Sequence, residues 1–376
     1  MTPMSRLFAH FKRRGEGLAG ARFIAESRSA HQFFTSGLGA AACTLLLAAT
    51  SFAQLPPIPV VPNAPVAGRP PGAKPAVAGQ PATNQAVRPP VAPAKPAAPA
   101  ARGAEAPKMK MESLELVAKD GFTLRAFYFP SDRGKEAVPV IIVHEWEGQA
   151  SPYAGLVNAL WNAGCAVIVP EFRGHGGSRE YMQGGRKREL DVARMGRAEV
   201  ASIIGADMEA VKKFLREENN EKELNLNALA LVGVREGAVI ASQWAVKDLN
   251  FPSVGALKQG QDVKAMVLVS PEKILKGFSL DETLQDRLLW QLPFLVVVGQ
   301  TSPQFSDADR FYKRLETTKK RAGRGTAEGL QLEAVNTSLS GHALLNDAPG
   351  VIEKVTTFIK TQLVDRSAKI PWVERQ

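Results

Sequence analysis

Residues 108–376 predict an α/β architecture with a mostly parallel central sheet and helices on both faces. Two observations carry that expectation. Short, continuous apolar runs alternate with helical patterns along this stretch, as strands buried on both faces and their crossover helices do. Polar residues also gather just after the ends of the apolar runs, where an open α/β sheet places its ligand crevice.

The elements follow in order. "ESLELVAKDGFTLRAFYFP" is two alternating runs around Lys119-Asp120-Gly121 and predicts a hairpin. "VPVIIVHEW" reads as a buried strand, and Tyr153 to Ala163 as a helix closed by "NAG". "CAVIVPEFRGHGGS" is the next strand and loop, with Cys165 a small buried residue. "GADMEAVKKFLREENN" is an amphipathic helix that turns Ala210, Val211 and Phe214 inward. "LALVGVREGAVIASQWA" is a strand, a tight turn and a helix, and "VKAMVLVSPE" and "PFLVVVGQTS" are two more buried strands. "GLQLEAVNTSLSGHALLND" adds a last strand and a loop with His342, and Val351 to Leu363 a closing helix.

The remaining chain reads differently. Residues 1–53 carry early basic side chains, an apolar run from Leu38 to Ala49 and then Ser51-Phe52-Ala53, the pattern of a cleavable secretory signal peptide. Residues 54–107 hold 15 of the 26 prolines and no aromatic residue, so they cannot build a core and predict an extended Pro/Ala-rich linker. These two segments contribute +8 of the formal +10. The folded part is close to neutral, which argues against nucleic-acid binding and leaves the basic linker to touch an anionic envelope polymer. Cys43 falls in the signal, so the mature chain keeps Cys165 alone and no internal disulfide. The expected destination is the periplasm, cell envelope or exterior of a bacterium.

Four motifs in order, "VHEWEG", "PEFRGHGGS", "GVREG" and "SGHALL", resemble the oxyanion loop, the D-x-R-G-x-G-x-S loop, the nucleophile elbow and the base histidine of the α/β-hydrolase superfamily. The resemblance covers nearly all of residues 108–376, and "HEWEG" is similar to the dienelactone-hydrolase branch. It implies the α/β-hydrolase fold and a catalytic triad, but carries over unevenly. The nucleophile position falls on Arg235, whose guanidinium stays protonated and has no lone pair for acyl attack. The acid position falls on Ser302, with Asp307 later in the loop at an expected helix start. His342 keeps the base position.

The sequence therefore predicts a fold whose usual chemistry has decayed, with a binding or scaffolding role. The alternative is an ester or lactone hydrolase in which His342, with Glu145, activates water. Glu145, Trp146, Arg235, Glu236 and His342 are the expected crevice residues. Arg235, at a helix N-terminus, reads either as a pocket for an anionic small molecule or as a plug paired with Glu145, Glu147 or Glu236; the pair is expected, since a buried guanidinium needs a partner. Ser270 and Glu272 in "LVSPEK" are a weaker candidate for a relocated nucleophile and acid. His144, His175 and His342 follow strand ends without H-x-E or H-x-x-H spacing, and "GVREGA" lacks G-x-G-x-x-G, so neither metal nor cofactor is expected. The run from Gly184 to Glu199 is expected to form a solvated helix face, and Lys319 to Gly329 an exposed basic loop.

Overall fold

The computed structural model describes residues 108–253, 258–323 and 327–375. The predicted signal peptide (1–53) and linker (54–107) lie outside the described residues, as does part of the basic loop before Gly329. Among the described residues no helix is long and apolar enough to cross a membrane.

Eight strands form the main sheet. β1 (Glu112–Val117) and β2 (Thr123–Phe129) are the predicted hairpin, paired antiparallel from Glu112 opposite Tyr128 to Val117 opposite Thr123. β3 (Val138–Val143) and β4 (Cys165–Glu171) follow, and β2 pairs antiparallel with β4. Two smaller strands, β5 (Glu180–Gln183) and β6 (Arg186–Glu189), make a separate exposed hairpin. β7 (Leu229–Val234) and β8 (Val263–Val269) return to the main sheet. β9 (Ile274–Leu275) and β10 (Phe278–Ser279) are a short ribbon, and β11 (Phe294–Gly299) and β12 (Leu330–Val335) complete the set. The spatial order is β1-β2-β4-β3-β7-β8-β11-β12, with every pairing from β4 onward parallel.

The helices are α1 (Ala154–Asn162), α2 (Arg197–Ser202), α3 (Met208–Asn220), α4 (Glu236–Leu249), α5 (Phe305–Ala322), α6 (Gly341–Asp347) and α7 (Val351–Gln362). They divide between two cores. Ile141, Val143, Leu229 and Leu231 face Val211, Leu215, Trp244 and Phe311 on one side. Val140, Ile142, Ala230, Val232 and Val234 face Leu156, Leu160, Val355 and Phe358 on the other. Alternate residues of each central strand are thus buried on opposite faces, which is why β3 and β7 read as unbroken apolar runs rather than as alternation. Cys165 is fully buried at the start of β4, and burial pushes its thiol up to about 12.

Three expectations need correction. Lys319 to Ala322, expected to begin an exposed basic loop, are the last turn of α5, and Lys319 is buried with its ammonium donating to the Leu292 carbonyl at 2.6 Å. The run from Gly184 to Glu199 is not a helix face. Gly184 and Gly185 both take positive φ, at 58° and 74°, so the chain turns there and pairs β5 with β6 before α2 begins. His342 is not in a loop either, but is the second residue of α6, started by Gly341 at φ 60°.

The loop after β4 is a structural clasp. Arg173 is buried between Asp207, whose Oδ1 lies 2.5 Å from its Nη2, and Asp120 at 2.7 Å, and it stacks over Phe122. A π-helical turn, Ile203–Asp207, inserted between α2 and α3 carries Asp207 to that position. Glu171 accepts from the N–H groups of Gly177 and Ala150 and pairs with Arg125. Burial alone would raise the Glu171 pKa, but these contacts outweigh it and hold the carboxyl below its usual range.

Candidate functional site

The site is built at the C-terminal ends of β3, β7, β8 and β11, where four polar turns converge. β7 runs into α4 through a single residue, Arg235, with φ 49° and ψ −116°. That is a costly backbone conformation for a side chain larger than glycine. Three hydrogen bonds hold it: the Arg235 N–H donates to Val269 O at 2.9 Å, and its carbonyl accepts from Ala238 at 3.0 Å and Glu272 at 3.2 Å. Small neighbours make the turn feasible. A Cβ on Gly237 would lie 2.3 Å from the Val143 carbonyl oxygen, and one on Gly233 would lie 2.6 Å from the Ala238 Cα. Both glycines of "GVREG" therefore let α4 pack onto β7 and β3.

The guanidinium projecting from this turn is paired. Arg235 Nη2 donates to Glu272 Oε1 at 2.9 Å and lies 3.5 Å from Glu236 Oε1. Burial works against its charge, yet Glu272, Glu236 and Glu145 together raise its pKa. Glu236 responds in the other direction, its pKa raised because burial outweighs Arg235 and the Trp146 N–H that donates to its carboxylate at 3.2 Å. Of the two arrangements open to Arg235, the internal pair describes the geometry, with a correction to its partners. The main partner is Glu272, at the end of β8, which the strand order places beside β7; Glu236 is a longer contact, and Glu147 lies exposed at a positive φ of 62°.

Glu272 is itself held. Gln304 Nε2 donates to Glu272 Oε1 at 2.9 Å, and Ser340 Oγ donates to Gln304 Oε1 at 2.9 Å. Ser270, fully buried at φ 46°, accepts from the Gly341 N–H at 3.1 Å. Ser270 is thus a support for the start of α6 and not an exposed nucleophile. Arg235, Glu272, Gln304 and Ser340 form one chain of hydrogen bonds from the elbow to the turn before α6, and every link carries a donor aimed at an acceptor.

His342, 46 % exposed at its side chain, donates from Nδ1 to Glu145 Oε1. Glu145 comes from the turn after β3, where its own N–H donates to the Tyr153 hydroxyl at 3.3 Å. Gly341 sits between the two halves of the site: a Cβ there would lie 2.8 Å from Arg235 Cδ and would also strike the Glu145 carboxylate. Ser302 stands apart. It is 6 % exposed, and its hydroxyl donates to the Gly299 carbonyl at 2.8 Å, closing the turn after β11. The hydrogen-bond partner of His342 Nδ1 is therefore Glu145, reaching from β3, and not a side chain at the Ser302 position. Asp307 lies in the first turn of α5 and pairs with Arg310 at 3.3 Å.

The other two strand-end histidines are structural. His144 is buried; its Nδ1 donates to the Glu145 carbonyl at 2.7 Å and its Nε2 accepts from the Phe172 N–H at 3.4 Å. Burial first, and then His175 beside it, pull its pKa down to about 3, so the ring is neutral. Trp146 meets the His175 ring edge to face, with centroids 4.8 Å apart. Among the described residues no group of three or more His, Cys, Asp or Glu is arranged to hold a metal ion.

The expected crevice residues Glu145, Trp146, Arg235, Glu236 and His342 do converge. Gln304 and Ser340 were not expected there. "SPQFSD" and "LSGH" carry no spacing that distinguishes a bridging glutamine or serine from ordinary turn residues.

No protein-family model matches the chain, and no curated protein does. Among solved structures it is similar to an esterase of Pyrococcus furiosus, at 15% identity over 68% of this chain and 92% of that one, with a TM-score of 0.48. It is also similar to an esterase of Pyrobaculum calidifontis (14% identity, 68% and 86% covered, TM-score 0.47) and to a thermostable carboxyl esterase of Bacillus coagulans (12%, 68% and 100%, 0.49). The assignment of the fold rests on the chain itself. An antiparallel strand near one edge, six parallel strands in the order β4-β3-β7-β8-β11-β12 and a strained strand-to-helix elbow after β7 make this an α/β-hydrolase fold.

Proposed function

We propose that this chain is an exported, non-catalytic protein of the α/β-hydrolase fold, with a binding or scaffolding role in the cell envelope. One observation carries the loss of the usual chemistry. The elbow residue is a guanidinium bonded through Nε and Nη2 to Glu272, so the place of an attacking oxygen or sulfur is taken by a cation paired with a carboxylate. The hydrogen-bonded chain from Glu272 through Gln304 to Ser340 supports a crevice organised around that pair instead of around a substrate. The export half rests on the basic, apolar and small-residue order of residues 1–53 and on the Pro/Ala-rich stretch that follows.

A second reading has its own support. His342 is half exposed, and Glu145 fixes the ring through Nδ1, leaving Nε2 as the basic nitrogen. A carboxylate-oriented imidazole of this kind can take a proton from water, and general-base catalysis alone supplies about 10²- to 10⁴-fold.

Hydrolysis of short activated esters and lactones by the purified protein, run beside His342→Ala, separates the two. The proposal expects no turnover above the variant and no covalent labelling by a fluorophosphonate. Turnover that vanishes with His342 overturns it in favour of water activation.

A further inference from the structure

The N-terminal edge of the parallel sheet, at the opposite end of β7 from Arg235, carries a cavity of about 420 Å³. Its basic lining comes from four separate segments: Lys119 from the β1–β2 turn, Lys212, Lys213 and Arg216 from α3, Lys258 from the loop before β8, and Arg375 from the C-terminal tail. Glu209 and Asp262 are the acidic residues on that lining, and Glu209 is already engaged by Lys247 at 2.8 Å and by the Trp244 N–H at 2.9 Å.

The placement of Arg375 is elaborate. Asn219, Asn220, Asn225 and Asn227 donate their side-chain amides to the carbonyls of Val373, Arg375, Ile370 and Pro371, at 2.6–3.0 Å. The tail is thus gripped by its backbone, and the Arg375 side chain is delivered into the wall, 2 % exposed, where it meets Asp262 and donates to Asn227 Oδ1 at 2.8 Å. Its Nε is buried with no partner. Lys212 donates to Asp248 Oδ1 at 2.5 Å and to the Gln259 carbonyl at 3.0 Å. Asp248 in turn accepts from the N–H groups of Asp262 and Val263, so its second oxygen is used as well.

The charges do not balance. Lys212, Lys258, Lys264 and Arg375 surround the two buried carboxylates of Asp248 and Asp262; at the rim Lys119 adds a further cation, while Lys213 lies 3.9 Å from Glu217. A purely structural ion cluster in a half-buried setting is expected to pair its charges, because each unmatched charge loses solvation. Burial first, and then Lys264 and Arg375, lower the Lys258 pKa to about 8 despite Asp262.

We propose that this cavity binds an oxyanion of the phosphate or sulfate class, with Lys258 and Lys213 among the groups that meet it and Arg375 completing the wall. The site is independent of the elbow and of any reading of its chemistry.

Calorimetric titration of the full chain with inorganic phosphate and with phenyl phosphate, at constant ionic strength against chloride, tests it. Saturable one-to-one binding is expected, weakened at least about tenfold by Lys258→Gln, the effect of one lost charge-assisted hydrogen bond. Lys213→Gln, exposed at the rim, shifts affinity in the same direction without touching the buried cluster, and Lys313→Gln on α5 leaves it unchanged. Tighter binding of phenyl phosphate identifies a monoester as the ligand class, and equal or tighter binding of phosphate identifies the free ion. No saturable binding, or equal weakening by all three substitutions, overturns the proposal.

Discussion

Arg235 and Glu272 meet at 2.9 Å across the ends of β7 and β8, and the same two residues are joined through the backbone, Glu272 N–H to Arg235 O, at 3.2 Å. The turn that would present a nucleophile is therefore tied twice to its neighbouring strand. The side-chain tie pairs the guanidinium with a carboxylate, and the backbone tie helps to keep the turn's strained shape.

That double role separates two substitutions. Arg235→Ala removes the ion pair but keeps a Cβ at φ 49°, and is expected to destabilise by about 1 kcal/mol, modest because the side chain is 37 % exposed. Arg235→Gly loses the same pair but relieves the backbone, and is expected to be about 1 kcal/mol more stable than Arg235→Ala. Urea unfolding of the two variants decides it; an alanine variant at least as stable as the glycine one removes the claim of strain.

Gly237→Ala is expected to cost about 3 kcal/mol or more, since its Cβ would overlap backbone oxygens of both Val143 and His144 that cannot move without shifting β3. Gly205→Ala, where nothing lies within 4 Å, is the matched control. A small difference between their denaturation midpoints would mean that α4 does not need its close approach to β3.

His144 sets a pH dependence. Its folded-state pKa of about 3 lies below the usual value of 6.5, so the unfolded chain binds the extra proton between those limits and stability falls as pH falls through them. From pH 7 to pH 5 this one group is expected to remove about 2 kcal/mol. His144→Gln, which cannot take up the proton, should flatten the slope of unfolding free energy against pH in that window. An unchanged slope would mean that the ring is charged in the folded protein.

Asp207→Asn leaves Arg173 buried with only Asp120 as a charged partner, and breaking such a pair is expected to cost about 3 to 5 kcal/mol. A melting temperature within a few degrees of the parent would show that the clasp after β4 contributes little.

Cys165 is expected to resist thiol reagents in the folded state, because it is fully buried and its thiol is held far above neutral pH. Peptide mapping after maleimide treatment, with and without denaturant, reads this directly; labelling of the native Cys165 peptide would mean that β4 opens easily.

The framework was legible in the chain's local pattern. Unbroken apolar runs at β3, β4, β7, β8 and β11 imply strands covered on both faces, and the paired glycines around Arg235 imply a tight strand-to-helix turn, because both are local consequences of burial and backbone sterics. The sequence also brought Glu145, Trp146, Arg235, Glu236 and His342 into one crevice on the strength of their positions at strand ends. Partner choice was beyond it. Arg235 took Glu272, 37 residues away in sequence but one strand away in space; β3 flanks β7 on its other side, but there Glu145 is taken by His342 and Glu147 lies exposed. His342 met Glu145 across 197 residues, and Arg375 met Asp262 across 113, for the same reason. A hydrogen bond needs its donor and acceptor within about 3 Å, and only the order of strands in the sheet decides which side chains come that close.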